Sequence, residues 1–101
     1  MPYLEVCSGL QRGFQFKLVK DKVMIGRTGR GQKWDLMLQD RAVSRPQAQI
    51  ARTPEGFVLT DLNSANGTLV NGKEITAPHV LKEGDIITFG ETAIMFRIGP
   101  G

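Results

Sequence analysis

Short apolar stretches with a period near two run through almost the whole chain, and a turn-forming segment separates each stretch from the next. Leu4 and Val6 flank Glu5, and the same alternation returns in residues 92–98. This spacing puts successive side chains on opposite faces of a strand. No segment combines a sustained 3.6-residue period with capping residues, so we expect no helix longer than one turn.

The apolar stretches and the turns between them predict the fold class. The stretches cover residues 4–6, 14–18, 23–25, 48–51, 57–59, 68–70, 74–75, 86–89 and 92–98. Asn71-Gly72 favours a tight hairpin, because both central residues of that turn need a positive φ. Residues 27–45 and 60–67 interrupt the alternation and predict loops. We therefore expect an all-β, antiparallel sandwich of about 10–11 strands in two sheets, with binding loops at one end.

Length and composition limit the class of protein further. With 101 residues the chain has the length of one domain, which we place at residues 1–98, followed by a flexible tail at 99–101. We find no apolar run long enough to span a bilayer and no signal peptide, so we expect a cytoplasmic protein without membrane insertion. Nothing in the composition indicates the oligomeric state, and we expect a monomer.

The scarcity of cysteine and histidine argues against catalysis and against a metal site. One cysteine, Cys7, and one histidine, His79, form neither an internal disulfide nor a Cys/His zinc site. A catalytic pair of the two is formally open, but nothing in the sequence would activate the thiol, so we expect Cys7 as a small apolar residue of the first strand and His79 in a loop. We expect no enzyme, no catalytic or metal-binding residue and no cofactor.

Charge is unevenly distributed along the chain. Residues 1–52 contain ten Lys/Arg and four Asp/Glu, whereas residues 53–101 contain three Lys/Arg and six Asp/Glu. The basic excess is concentrated in residues 27–52. This pattern is compatible with an anionic ligand on one side of the molecule and equally with an ordinary solvated face.

Three polar clusters lie where predicted strands meet predicted loops. They are Gly26-Arg27, Ser44-Arg45-Pro46-Gln47 and residues 63–68. Together they supply guanidinium groups, a hydroxyl, amides and glycines that allow close backbone approach, a set suited to holding an anion. Each cluster alone is equally compatible with a solvated charge or a tight turn.

In order and spacing these clusters resemble the forkhead-associated (FHA) domain, a phosphothreonine-reading SMAD/FHA-like β-sandwich. The resemblance covers roughly residues 3–98 and rests on Gly26-Arg27, Val43-Ser44-Arg45, Ala48, residues 61–68, Val70-Asn71-Gly72, Leu81, Gly84-Asp85 and Phe89-Gly90. It implies a non-catalytic signalling or scaffold module that binds phosphothreonine-containing protein segments.

The resemblance also implies roles for single residues. Those expected to bind the phosphothreonine peptide are Arg27, Ser44, Arg45, Ala65 and Asn66. Those expected to support the loops are Gly26, Gln47, Gly67, Thr68 and Asn71. One position departs from the family, because Gln47 stands where the family has a histidine that braces the loops. Glutamine also donates and accepts hydrogen bonds, and so can serve as the brace.

Two other functions stay open from the sequence. Gln47 motivates a phosphorylation-independent interaction or self-association domain of the same fold. The basic stretch motivates nucleic-acid binding, which we consider unfavoured because Trp34 is the single aromatic residue there, whereas such surfaces stack several.

Overall fold

The chain folds into short strands joined by turns and loops. The computed structural model describes residues 1–99. Its strands are β1 (Tyr3–Val6), β2 (Gln15–Lys17), β3 (Lys22–Arg27), β4 (Leu36–Leu38), β5 (Ala48–Thr53), β6 (Gly56–Asp61), β7 (Thr68–Val70), β8 (Lys73–Glu74), β9 (His79–Val80), β10 (Ile86–Phe89) and β11 (Thr92–Arg97). The described residues include no helix, and therefore no helical segment able to cross a membrane. Of the expected tail at 99–101, residues 100 and 101 lie outside the described part of the chain.

The strands form two sheets packed face to face. One has six strands in the order β2-β1-β11-β10-β7-β8, and the other has five in the order β4-β3-β5-β6-β9. All pairs are antiparallel except β3 with β4. The predicted all-β sandwich of two sheets is confirmed.

The inward-facing residues of both sheets make one apolar core. Its fully buried side chains include Leu4, Val6, Val23, Ile25, Leu38, Ile50, Leu59, Ile87, Phe89, Ile94 and Phe96. The rings of Phe57 in β6 and Phe96 in β11 lie 6.0 Å apart and tie the two sheets together. Burial of these side chains is the main favourable term that holds the sandwich.

Three local predictions were wrong. Residues 36–38 were expected in a loop but form β4, with Leu36 and Leu38 buried and Met37 exposed. A strand of three residues between polar segments gives too few alternations to be recognised. His79 was expected in a loop and lies in the two-residue strand β9, while Cys7, expected in the first strand, is exposed just beyond β1.

Strand register brings the irregular segments together at one end of the sandwich. Ala48, the first residue of β5, lies opposite Ile25 near the end of β3 and opposite Asp61 at the end of β6. Thr68, the first residue of β7, pairs with Phe89 at the end of β10. The loops β3–β4 (28–35), β4–β5 (39–47) and β6–β7 (62–67) therefore converge, beside the β1–β2 loop (7–14).

Candidate functional site

Arg27 ends β3 at this loop-bearing end of the sandwich. Its backbone N–H donates to the Ser44 carbonyl at 3.1 Å, and its Nη1 donates to the Arg41 carbonyl at 3.0 Å. Its Nε is buried and has no hydrogen-bond partner among the described residues. The guanidinium is thus fixed in position while most of its donors stay unused.

Trp34 holds the backbone of Arg27 from the outer face of the sheet. The indole Nε1 donates to the Arg27 carbonyl at 3.1 Å. A Cβ atom at Gly26 would lie 2.6 Å from the indole ring, closer than any real contact, so only glycine fits beneath it. Gly26 therefore shapes the site through its contact with Trp34, and Trp34 anchors the β3–β4 loop.

Ser44 links the β4–β5 loop to the β6–β7 loop. Its Oγ accepts a hydrogen bond from the Ala65 backbone N–H at 2.8 Å. Because the oxygen accepts this bond, the hydroxyl hydrogen is available to donate elsewhere. The Ala65 N–H, expected to contact a phosphate, is engaged with Ser44 in this structure.

Gln47 lies fully buried behind Ser44 and connects three points of the loops. Its Oε1 accepts from the Ser44 N–H at 2.8 Å, and its Nε2 donates to the Gly67 carbonyl and to the Thr68 hydroxyl, both at 3.0 Å. Both N–H groups of the amide and one lone pair of its oxygen are therefore used inside the protein, and one lone pair of the oxygen is left over. The glutamine makes a brace between the two loops.

Asp61 organises the β6–β7 loop from the end of β6. Its carboxylate accepts hydrogen bonds from the Ser64 hydroxyl at 2.6 Å, the Ser64 N–H at 3.1 Å and the Thr68 hydroxyl at 2.6 Å. Partial burial alone would raise the pKa of Asp61, but these hydrogen bonds outweigh it and the pKa is lowered. The loop is thus built on an ionised carboxylate. Gly67, with φ +80°, takes the left-handed conformation that turns the chain into β7.

Arg45 in the β4–β5 loop and Asn66 in the β6–β7 loop each form a hydrogen bond to a neighbouring loop. Arg45 is exposed, its peptide bond to Pro46 is cis, and its Nη2 donates to the Thr28 carbonyl at 2.7 Å. The exposed Asn66 amide donates through Nδ2 to the Ala42 carbonyl at 3.0 Å. Asn66 keeps its side-chain oxygen and one N–H for other partners.

Guanidinium groups without carboxylate partners line a shallow depression at this end. Arg27, Arg41 and Arg45 border a space of about 450 Å³, and none of them forms a salt bridge within residues 1–99. Asp40 also borders it, but its carboxylate accepts bonds from Ala42, Glu91 and Thr92 instead. The arrangement presents uncompensated positive charge next to the β4–β5 loop that carries Ser44, which suits an anion.

The structure brings together most of the residues singled out in the sequence. Direct hydrogen bonds join the loops that carry Arg27, Ser44, Arg45, Ala65 and Asn66, with Gly26, Gln47, Gly67 and Thr68 directly behind them. Asn71 lies elsewhere, at the far end of β7. There its side chain bonds to Asp85 and to the Ile86 N–H and holds the β7–β8 turn.

Sequence reasoning missed other residues of this region. Arg41 was not among the residues singled out in the sequence, yet it borders the depression and its carbonyl accepts a hydrogen bond from Arg27. Asp61 carries a signal that could have found it, since an Asp three residues before a Ser is typical of a side-chain-capped turn. No local pattern identifies Arg41.

Cys7 and His79 form hydrogen bonds with different partners. The Cys7 thiol donates weakly to the Glu5 carbonyl, whereas His79 Nε2 lies 3.1 Å from the Asp85 carboxylate. Among residues 1–99, no three His, Cys, Asp or Glu side chains gather where they could hold a metal ion.

Curated relatives share part or most of this sequence. The mouse angiogenic factor with G patch and FHA domains 1 is 45% identical over an alignment of 53 residues that covers 46% of this chain and 8% of that protein. The oxoglutarate dehydrogenase inhibitor of Corynebacterium diphtheriae is 38% identical over 97 residues, 96% of this chain and 65% of the inhibitor. The chain thus spans less than two thirds of the length of either relative.

Solved structures share the fold over nearly the whole chain. EmbR of Mycobacterium tuberculosis, in complex with a low-affinity phosphopeptide, matches with a TM-score of 0.85 and 30% identity, over 99% of this chain and 25% of EmbR. A domain from a study of phosphothreonine-dependent FHA domain interactions matches with a TM-score of 0.79 and 33% identity, over 98% of this chain and 97% of that domain.

The FHA domain family model matches residues 23–90, which run from the second residue of β3 past the end of β10 and include the three converging loops. The fold, the loop geometry and the relatives agree with this match, and the chain belongs to the FHA domain family.

Proposed function

We propose that this domain binds phosphothreonine-containing segments of other proteins and acts as a non-catalytic recognition module. The observation that carries the proposal is the depression bordered by Arg27, Arg41 and Arg45, none of which has a carboxylate partner in the described chain. Two similar structures support the proposal, because one is a complex with a phosphopeptide and the other is a domain studied for phosphothreonine-dependent interactions. We also propose a cytoplasmic location, because protein kinases that would phosphorylate such a ligand use the ATP of the cytoplasm.

The free donors of the site match the acceptors of a phosphate. Arg27 and Arg45 each use one side-chain N–H on a backbone carbonyl, and apart from the buried Arg27 Nε the remaining donors of each guanidinium are available for phosphate oxygens. The Ser44 hydroxyl adds a third donor, oriented because its oxygen already accepts from Ala65. We assign Ala65 the role of orienting Ser44, while the free oxygen of Asn66 accepts from the peptide backbone.

The expected affinity follows from the number of these bonds. Three or four hydrogen bonds to a doubly charged phosphate, at about 1.5–3 kcal/mol each, give a gross gain of roughly 5–12 kcal/mol. Association costs consume part of this gain, so binding near −8 kcal/mol, a micromolar dissociation constant, is expected once peptide backbone contacts are added. Aspartate or glutamate in place of phosphothreonine supplies less charge and fewer oxygens, and should bind far more weakly.

Substitution of Arg27, with a matched arginine as control, tests the proposal. Calorimetric titration with a degenerate phosphothreonine peptide library should show Arg27→Ala weakening binding at least about 100-fold, since it removes charge-assisted bonds of about 3 kcal/mol or more in total. Arg52→Ala removes the same charge from an exposed position on β5, beyond the reach of the site. We expect it to stay within about two-fold at physiological salt, where the screening length is about 8 Å.

Two results would contradict the proposal. One is folded wild-type protein that binds no member of the library. The other is binding that survives both phosphatase treatment and Arg27→Ala, which would establish the phosphorylation-independent alternative. Gln47, the residue that motivated the alternative, makes three side-chain hydrogen bonds within the loops, so the geometry gives that reading no support.

A further inference from the structure

Asp40 places a carboxylate at the border of the arginine-lined depression, where a negative charge opposes the proposed ligand. Asp40 and three arginines, Arg27, Arg41 and Arg45, border the same space. Among the described residues that border it, Asp40 alone carries a negative charge. By electrostatics alone this carboxylate would repel a phosphate dianion and weaken its binding. Its presence in the site therefore needs a physical reason of another kind.

Three hydrogen bonds hold the Asp40 carboxylate in place. Oδ1 accepts from the Ala42 N–H at 2.8 Å, and Oδ2 accepts from the Glu91 N–H at 2.8 Å and from the Thr92 hydroxyl at 2.7 Å. Partial burial alone would raise the pKa of this carboxyl group, but the three hydrogen bonds outweigh it and the pKa is lowered. The ionised side chain thus ties the β4–β5 loop to the β10–β11 turn and the start of β11.

The bond from the Ala42 N–H sets the direction of the Arg41 carbonyl. This N–H and this carbonyl belong to one trans peptide group, which is planar, so the two point in opposite directions. Asp40 holds the N–H, and the carbonyl on the other side accepts from Arg27 Nη1 at 3.0 Å. Asp40 therefore aims the carbonyl that fixes the guanidinium of Arg27.

The next peptide group is held in the same manner. The Val43 N–H donates to the backbone carbonyl of Asp40 at 3.1 Å. The carbonyl of the same group, that of Ala42, accepts from Asn66 Nδ2 at 3.0 Å. The β10–β11 turn packs closely against this group, because a Cβ atom on Gly90 would lie 2.9 Å from the Ala42 carbonyl carbon. Two successive carbonyls, both fixed by Asp40, thus hold two side chains of the candidate site.

We propose that Asp40 is a positioning residue for phosphothreonine recognition. Through the two carbonyls that it fixes, it sets Arg27 and Asn66 in their binding geometry without touching the ligand. This assignment rests on the proposed phosphothreonine-binding function. Removal of the carboxylate has two opposite effects, because it relieves repulsion and also releases the carbonyls. The bonds to the ligand act at contact distance, whereas the repulsion is screened by solvent and salt, so the loss of positioning dominates.

Three variants separate positioning from electrostatics and from stability. Asp40→Ala removes the charge and all three side-chain bonds. Asp40→Ser removes the same charge but keeps the bond from the Ala42 N–H, because a serine at the start of a turn accepts from the N–H two residues on. Asp85→Ala is the matched control, since the Asp85 carboxylate also forms three hydrogen bonds, at the opposite end of the sandwich. Each variant is titrated with a phosphothreonine peptide that wild type selects from the degenerate library.

We expect Asp40→Ala to weaken phosphopeptide binding about 10-fold, the size of one lost hydrogen bond to a charged group. Asp40→Ser should stay within about three-fold of wild type. Asp85→Ala should bind as wild type does, although its unfolding temperature falls by an amount similar to that of Asp40→Ala. In heteronuclear NMR spectra the side-chain amide signals of Asn66 should shift in Asp40→Ala and keep their wild-type positions in Asp85→Ala.

A milder pair of variants applies if Asp40→Ala is too unstable to titrate. Thr92→Val removes the hydroxyl that donates to the Asp40 carboxylate, and Thr92→Ser keeps it. Because the carboxylate then loses one of its three fixed contacts, Thr92→Val should bind about two- to three-fold more weakly than Thr92→Ser.

Contrary results distinguish this proposal from the proposed function. Tighter binding by Asp40→Ala and Asp40→Ser would show that the carboxylate acts only by repulsion. Wild-type affinity in Asp40→Ala, an equal loss in Asp40→Ser or Asp85→Ala, or equal affinity of the two Thr92 variants would also overturn the positioning role, while phosphothreonine binding stands. If wild type binds no member of the library, both proposals are wrong.

Discussion

Replacing Gln47 by alanine tests whether one buried amide holds the candidate site together. The Gln47 side chain is fully buried and makes three hydrogen bonds, to the Ser44 N–H, the Gly67 carbonyl and the Thr68 hydroxyl. In the alanine variant Thr68 still donates to Asp61, whereas the described structure offers Ser44 N–H and the Gly67 carbonyl no other partner. The loss therefore falls on two backbone groups that fix neighbouring loops.

The magnitude follows from these groups. Each backbone group left without a partner costs about 1–2 kcal/mol, so we expect Gln47→Ala to lower the free energy of unfolding by about 3 kcal/mol. For a domain of this size that corresponds to a fall of roughly 12–24 °C in unfolding temperature. A small domain with about 5–15 kcal/mol of stability survives this loss, so binding can be measured on folded protein.

Circular dichroism melts and urea titrations measure the loss, and Gln49→Ala provides a control. Gln49 lies on the outer face of the same strand, half-buried, with no side-chain hydrogen bond in the described structure. Its substitution should change stability by less than about 0.5 kcal/mol. Phosphopeptide affinity should fall about 10-fold in Gln47→Ala, because Ser44 and the β6–β7 loop lose their fixed spacing. Wild-type stability in Gln47→Ala, or an equal loss in Gln49→Ala, would refute the brace.

Three further predictions concern the same region. Gln47→His should keep phosphopeptide affinity within about five-fold, since an imidazole replaces one acceptor and one donor of the amide; loss of binding by titration calorimetry would contradict this. Trp34→Phe removes the 3.1 Å bond to the Arg27 carbonyl but keeps an aromatic ring over Gly26, so stability should fall by about 1 kcal/mol and affinity several-fold; unchanged affinity would show that Trp34 does not position Arg27. The pKa of Asp61 is lowered in the folded protein, so its stabilising contribution is present above pH ~4 and is lost as the pH falls through the folded-state pKa. Asp61→Asn should therefore make the free energy of unfolding depend less on pH in the acid range. The same acid dependence in wild type and Asp61→Asn would contradict the assignment.

Local sequence patterns predicted the strands because alternation is a property of a few consecutive residues. The pairs Leu4/Val6 and Ile94/Phe96 were expected to share a face, and all four are buried in the core. Asn71-Gly72 predicted a tight turn, and Asn71 has φ +52° there. Where three residues carried the whole signal, as in β4, the pattern was too short to read.

The shape of the site depends on contacts between distant residues, which no local pattern specifies. Gln11 holds the β1–β2 loop against β4 through Met37, 26 residues away in sequence. Gln47 joins Ser44 to Gly67, and its identity suggested a brace without revealing which atoms it connects. The resemblance to the FHA domain assigned Arg27 and Ser44 to the site, but the contact of Arg41 with Arg27 is visible only in the folded loops.

The arginines of the site are fixed by backbone carbonyls instead of carboxylates, and this choice has a physical consequence. Arg27 and Arg45 each spend one donor on a carbonyl, which orients the guanidinium but leaves its charge uncompensated. A carboxylate partner at this exposed position would add only about 0–1 kcal/mol of stability. It would also cancel the charge that the proposed phosphate ligand needs and occupy the guanidinium donors that we propose bind it. Hydrogen bonds to carbonyls therefore hold the loops in place and leave the positive charge free for a dianion. The stability lost by leaving the charges unpaired can be offset by the buried core and the Gln47 brace.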